Sequence, residues 1–410
     1  MDAGFPIPLD ARLKAFYSRS FIRTQWWEAE WRQRAAPPRL AVIGCYDTGN
    51  VGDLALGWTL RAILLGNGLN PQLQPLGSME RYPIAAHAIL GGGGVLTLHP
   101  NSPLPRVVAR YASNAHRFAL VGVSGLLTAE ECSPPLREFL AAVPFLSVRS
   151  NAERRQLSFA IGRDSIRTYP DIAFGLPKVF RPRIFEPGSK ILGVSVSPVL
   201  LHARGSRFIA NSAPSAWFNT HLPQEAEVYD RIGASYIDVL RATLQTYLDR
   251  GWAVRLIPFA VEDHAFARAI FRSMRVEFVP YTANPIRVFE SVSGCSRFIA
   301  TRFHSHVFAL SSGVPCLSIS YSPKCRFLWD DLNLPAAAQI SPLDLVRRRA
   351  HAVELLTGQN GIVLDATSRA DVQDRAIEGC LAAHEFIHDH SECPDMRASP
   401  CARWTTDSSH

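Results

Sequence analysis

No two of the eight cysteines stand in C-x-x-C spacing, so neither a structural zinc site nor another metal-ligand cluster is expected. Cys45, Cys295, Cys316 and Cys325 lie in or beside apolar segments and read as small core residues, which fits a reducing compartment. No apolar run reaches the length of a membrane span. The first residues, "MDAGFPIPLDARLK", lack a basic stretch followed by an apolar core, so no signal peptide is expected. A concentrated basic stripe is missing too. The net charge of +7 is spread along the chain, which argues against nucleic acid and for a small anionic substrate or an acidic surface partner. These absences together lead to the expectation of a soluble, cytoplasmic protein.

What is present is a globular composition, 47% hydrophobic and 19% charged, over 410 residues. That length predicts two domains. Residues 1–37 read as an extension carrying Trp26, Trp27 and Trp31. Trp27 and Trp31 share a helix face, which packs against the protein in the blander reading. In the other it meets the inner face of a membrane peripherally.

From "RLAVIGCY" onward, apolar strands alternate with turns and helices. "AHAILGGGG", "RFALVGVSG" and "PFLSVRS" continue the pattern, the signature of a parallel α/β sheet. Prolines and basic residues gather in "PDIAFGLPKVFRPRIFEPGSK", where the interdomain linker is placed. The alternation restarts at "KILGVSVSP", and the polar stretch from His202 to about Glu225 reads as a loop or lid. Helix, strand, helix and strand then follow from "PIRVFESVSGC" to "PCLSISY". The expected fold is α/β and GT-B-like, with two Rossmann-like domains whose parallel sheets face a central cleft. The expected boundaries are 38–185 and 186–345 for the two domains, 346–390 for C-terminal helices and 391–410 for a disordered tail.

Four loops at predicted strand ends, where such sheets bind ligands, carry candidate chemistry. In "GCYDTGNVGDLAL", Gly49, Asn50 and Gly52 form a tight turn before Asp53, which read alone is equally a helix N-cap. The turn is not G-x-G-x-x-G, so a dinucleotide is not expected. "ILGGGGVLTL" holds four glycines, Gly92 and Gly93 among them, and more glycine than a turn requires suggests a ligand-facing loop. Arg149 in "SVRSNAERRQL" follows a strand, with Ser150 as a plausible cap for the next helix. In "ATRFHSHVFALSSGVPCLSISYSPK", Arg302, His304, His306 and Lys324 fall around two consecutive strand ends. Cations and imidazoles are costly to bury, so together they point to an anion. His306 would face away from His304 on a helix and reads as structural.

The blocks "IGCYDTGNVGDLAL", "LGGGGVL", "LSVRSNAERRQL", "YPDIAFGLP", "VRLIPFAVEDHAFA" and "IATRFHSHVFALSSGVPCLSISYSPK" together resemble the polysaccharide pyruvyltransferase family, in its order and spacing, over roughly Leu40 to Trp329. The resemblance implies a GT-B-like fold and phosphoenolpyruvate as donor, used as a co-substrate with no cofactor. It implies a glycan or lipid-linked saccharide acceptor of a cell-surface polysaccharide, carrying the pyruvyl group as a ketal. It also implies that Arg149, His304 and Lys324 bind phosphoenolpyruvate, that Arg302 is the Arg of the family's R-x-H, and that Asp53 is the acceptor-side acid/base.

This chemistry suits the residue types. A carboxylate and a phosphate close together need convergent cations, which Arg149, Arg302 and Lys324 supply. Ketal formation needs a proton given to the methylene carbon and one taken from a hydroxyl, tasks for His304 and Asp53 in either assignment. Two other readings stay open. One is a GT-B glycosyltransferase using a nucleotide sugar; the other is a non-catalytic relative that binds an anion. The N-terminal extension, the tail and the segment "LHARGSRFIANSAPSAWFNTHLPQE" lie outside the resemblance.

Overall fold

The computed structural model describes residues 5–6, 38–96, 102, 104–185, 190–204, 207–210, 214, 218–219, 222–358 and 361–389. The Trp-bearing segment and the tail therefore lie outside the described residues. The first parallel sheet is built from β2 (Leu40–Gly44), β3 (Gln72–Pro75), β4 (His87–Gly93), β5 (Phe118–Val123), β6 (Phe145–Val148) and β7 (Arg167–Thr168). Their spatial order is β3-β2-β4-β5-β6-β7. Strands β2, β4 and β5 are buried along their whole length, as continuous apolar runs covered on both faces should be.

The second sheet repeats the plan with β8 (Ile191–Val194), β11 (Ala253–Leu256), β12 (Glu277–Phe278), β13 (Arg297–Ala300), β14 (Cys316–Ile319) and β15 (Gln339–Ile340), in the order β12-β11-β8-β13-β14-β15. In each sheet the chain enters near the middle, winds to one edge and then crosses to the other side. The reversal falls between β2 and β4 in the first sheet and between β8 and β13 in the second. Such a switch point opens a crevice at the carboxyl ends of its strands. Helix α1 (Val51–Gly66) follows β2 and helix α6 (Phe303–Ser312) follows β13, so each switch point delivers one helix N-terminus to the seam.

The two domains meet along this seam. The amide of Val51 donates to the Phe259 carbonyl at 2.8 Å, and the Tyr281 hydroxyl donates to the Gly49 carbonyl at 2.8 Å. One apolar core runs through both domains: Leu60 and Leu64 of α1 share it with Phe289, Phe308 and Trp329. Burying each such side chain contributes about 1.5–3 kcal/mol, so the seam is held by packing more than by its few hydrogen bonds.

Three expectations are revised. The stretch read as a lid contains a hairpin, β9 (Leu201–Arg204) and β10 (Arg207–Ala210), which pairs antiparallel with β1 (Phe5–Pro6). Phe208 anchors it, edge-on to Phe266 with ring centroids 5.4 Å apart. The stretch read as a linker begins inside the first domain, because Ile172, Ala173, Phe174 and Leu176 are buried there. The C-terminal helices do not form one unit. Helix α8 (Arg349–Gly358) packs on α3 (Tyr229–Asp249) of the second domain. Helix α9 (Ala366–Asp389) instead returns to the first, on α1 and the 3-10 turn Ile172–Gly175. Its buried residues Val372, Ala376, Cys380, Ala383 and Ile387 recur every three or four positions, which makes one stripe.

Candidate active site

Arg149 leaves the end of β6 and Ser150 caps the next helix, α2 (Asn151–Ile161), by accepting from the Glu153 amide. The guanidinium is therefore aimed across the seam rather than along the helix. Its side chain is 4% exposed; Nη1 donates to Asp171 Oδ2 at 2.8 Å, and the group lies 4.3 Å from the centroid of the Phe303 ring. Nη2 is buried without a hydrogen-bond partner. Lys324 opens α7 (Pro323–Asp331) with Nζ 5.7 Å from the same ring and 5.3 Å from that of Tyr321. Lys324 has no carboxylate partner among the described residues. Arg149, Lys324, Phe303 and Asp171 line one cavity, with Tyr169 and Arg375 farther along it.

His304 and Asp53 border this cluster from the Gly52 side and do not line that cavity. His304 is buried, with Nε2 3.7 Å from Asp171 Oδ2, beyond hydrogen-bond length. Gly52 of α1 packs so closely on the imidazole that a Cβ there would stand 1.9 Å from Nδ1. Burial pushes the pKa of His304 down to about 3; Asp171 opposes that, while Arg149, Lys324 and Arg302 reinforce it. The resting imidazole is neutral.

Asp53 sits in the first turn of α1 but is not its cap: the Asn50 side chain fills that position by accepting from the Gly52 amide at 3.0 Å. Burial pushes its carboxyl up to about 6 against the pull of Lys324 and Arg149. The Thr48 hydroxyl lies 3.4 Å away, and a Cβ on Gly93 would lie 3.6 Å from Oδ1. Gly49, Gly92 and Gly93 have φ of 73°, 72° and 89°, the left-handed region that glycine favours. The glycine loop thus lies against the acid.

The sequence model for the family "Polysaccharide pyruvyl transferase" matches residues 50–323, about two-thirds of the chain. The chain belongs to the polysaccharide pyruvyl transferase family. Asp53, Arg149, Asp171 and His304 lie inside the match, and Lys324 is the next residue beyond it. Sequence comparison with curated proteins gave no match.

Solved structures are matched at low identity. A putative UDP-N-acetylglucosamine 2-epimerase from Listeria monocytogenes is 11% identical, with 87% of this chain and 98% of that one covered at a TM-score of 0.44. The UDP-GlcNAc 2-epimerase of Neisseria meningitidis, bound to UDP-GlcNAc, is 8% identical over 85% and 99% of the chains, TM-score 0.44.

Within this pyruvyl transferase family member, Arg302 departs from the expectation that groups it with the donor-binding cations. Its Nε donates to Asp263 Oδ1 at 3.0 Å, and its Nη2 reaches Asp263 at 2.7 Å and Glu262 at 2.6 Å. Two carboxylates already meet its charge, so it braces the loop before α6. Asp263 is fully buried, and burial pushes its carboxyl up to about 6 despite Arg302. His306 is structural: Nδ1 lies 2.9 Å from the Arg302 carbonyl and Nε2 2.8 Å from Ser318 Oγ.

Sequence reasoning missed Asp171 and Glu153. Glu153 is buried and accepts from Ser124, from Ser150 at 3.0 Å and from the Gly125 amide at 3.2 Å, which fixes the loop after β5 beside Arg149. Asp171 lies in the block "YPDIAFGLP", where a signal stood without a role attached to it.

Proposed function

We propose that this protein transfers the enolpyruvyl-derived group of phosphoenolpyruvate onto two hydroxyls of a sugar, as a pyruvate ketal. The acceptor is a glycan of a cell-surface or exopolysaccharide, or its lipid-linked precursor. One observation carries the reading: Lys324 and the unpaired Nη2 of Arg149 meet at the Phe303 ring in one cavity, Lys324 with no carboxylate within ion-pair distance among the described residues. A small, doubly anionic ligand supplies the missing charge. Arg149 offers planar donors for a carboxylate or phosphate, and Lys324 offers a point charge.

The reaction follows from these positions. The first sugar hydroxyl adds to C2 of phosphoenolpyruvate while C3 takes a proton and becomes a methyl group. The second hydroxyl replaces the phosphate at C2. Two hydroxyl protons leave; one balances the proton gained at C3 and the other departs with the phosphate. Asp53, held up to about 6, is poised near neutrality to accept a hydroxyl proton. His304 is the other acid–base group. Burial is the main cause that keeps the ring neutral and the nearby cations add to it, so negative charge from the donor would ease protonation by offsetting the cations. Arg149 and Lys324 then stabilise the departing phosphate.

Among the described residues no helix is long and apolar enough to cross a membrane, so a lipid-linked acceptor would be met at the membrane's inner face. The test is thermal stabilisation by phosphoenolpyruvate beside UDP- and GDP-sugars. A ligand at about a hundred times its Kd adds roughly 2.7 kcal/mol of stability. A shift with phosphoenolpyruvate that is lost in Arg149→Ala and Lys324→Ala supports the reading. A shift with a nucleotide sugar alone refutes it and makes the protein a glycosyltransferase.

A further inference from the structure

Asp171 is a buried acid at the seam that meets both domains' contributions to the site. It is 1% exposed. Its carboxylate is fixed from below, because Oδ1 accepts the Ala173 amide at 2.9 Å and so caps the 3-10 turn Ile172–Gly175. Oδ2 meets the other partners. It takes Arg149 Nη1 at 2.8 Å from the first domain and faces His304 Nε2 at 3.7 Å from the second. A buried ion pair with Arg149 alone would not require a ring nitrogen there. Nε2 is itself buried and has no hydrogen bond, which is costly unless a partner closes in. Hydrogen bonds of acid–base groups are often long before substrate binds and tighten afterwards.

We propose that Asp171 is a positioning residue that holds the proton of His304 on Nε2, so that Nδ1, on the Gly52 side, is the atom that exchanges protons with substrate. The imidazole has two nitrogens, and a carboxylate on one decides the role of the other. Nδ1 faces the first turn of α1, where Asp53 follows Gly52. The ring takes its second proton at Nδ1 and releases it from the same atom, and the Nε2 proton never leaves Asp171. The charged groups around the imidazole are Asp171 from the 3-10 turn, Arg149 from the end of β6, Lys324 from α7, and Arg302 at the start of its own helix. Of these only Asp171 is an anion, and it alone favours the imidazolium. This assignment rests on the reading of His304 as an acid–base group of pyruvyl transfer.

The experiment is nitrogen-15 NMR of the histidine rings in the full-length protein near neutral pH, with the His304 signal identified by its loss in His304→Gln. The expected wild-type spectrum shows the Nε2–H tautomer, and an Nδ1–H tautomer overturns the proposal outright. Asp171→Asn removes the charge that favours a proton on Nε2, so the share of the Nε2–H tautomer should fall. An unchanged tautomer in folded Asp171→Asn also overturns it. In steady-state phosphate release, Asp171→Asn should lose about a hundredfold or more in kcat. A rise in KM for phosphoenolpyruvate with kcat retained would mean that Asp171 only neutralises Arg149. The wild-type spectrum decides the matter even if Asp171→Asn does not fold. If wild-type protein releases no phosphate, the functional reading fails while the spectrum still tests Asp171.

Discussion

Gly52→Ala separates what helix propensity asks for from what the site allows. Gly52 lies in the first turn of α1, and alanine there should help the helix by about 0.8–1 kcal/mol. The added Cβ would stand 1.9 Å from His304 Nδ1, 2.1 Å from Cγ and 2.5 Å from Cβ. Ordinary contact needs about 3.5 Å or more, so the imidazole or the whole domain seam must retreat by over an ångström. Overpacking of this kind costs about 1–3 kcal/mol, which leaves a net loss of about 0–2 kcal/mol. At roughly 2–4 °C per kcal/mol for a large domain the protein stays folded at room temperature. Activity should suffer far more, because an ångström of misplacement costs about a hundredfold. The assay is phosphate release from phosphoenolpyruvate with a saccharide acceptor, run beside a melting curve. Gly66→Ala is the control: it ends the same helix, is exposed, and has nothing within 4 Å of the new methyl group. It should keep full activity and melt no lower than wild type. Gly52→Ala with wild-type kcat would show that the packing of His304 on α1 has no part in catalysis.

Other perturbations follow from the same geometry. Lys324→Met removes a cation without a counter-charge, so the Kd for phosphoenolpyruvate should rise about 10- to 100-fold, read by calorimetry; an unchanged Kd removes Lys324 from the site. Arg302→Lys breaks the bidentate grip on buried Asp263 and should cost about 1–3 kcal/mol in denaturant unfolding; a tenfold weaker donor Kd in a still-folded protein would restore Arg302 to the donor site. Asp53 titrates at about 6 in the folded protein, above its ordinary 3.8, so its ionised form opposes folding. That cost is absent below about pH 4, sets in between about pH 4 and 6, and is complete above. Asp53→Asn should therefore raise the melting temperature at about pH 8, with the gain fading toward about pH 4; a gain independent of pH would refute the burial argument.

Local chemistry was legible and tertiary destination was not. Continuous apolar runs such as those in β2, β4 and β5 announced buried parallel strands because both faces are covered. The two turns that hold Asp53 and Arg149 were readable because residues after a strand and before a helix must lie at the sheet's carboxyl edge. The pairing of Arg302 was illegible for the opposite reason. Its partners Glu262 and Asp263 sit about forty positions earlier in the chain, and nothing local marks a cation as already paired. Asp171 was hidden by its prolines, which read as a linker although Ile172 and Phe174 beside it are core. The hairpin of β9 and β10 escaped because its buried apolar residues, Leu201 and Phe208, are separated by polar and small residues with no strand-like alternation.

The return of α9 to the first domain has a consequence for synthesis. Apart from β1, which pairs with β10 of the second domain, the described chain starts and ends its packing on the first body, so the second domain is in effect an insertion within it. A nascent chain therefore cannot complete its first domain when β7 emerges. Tyr169 lies under Gly379, and Gly175 under Ile377, and both stay uncovered until α9 leaves the ribosome. Domains usually fold in order from the N-terminus during synthesis. Here the inserted domain closes first, and the half that carries Asp53 and Arg149 closes last.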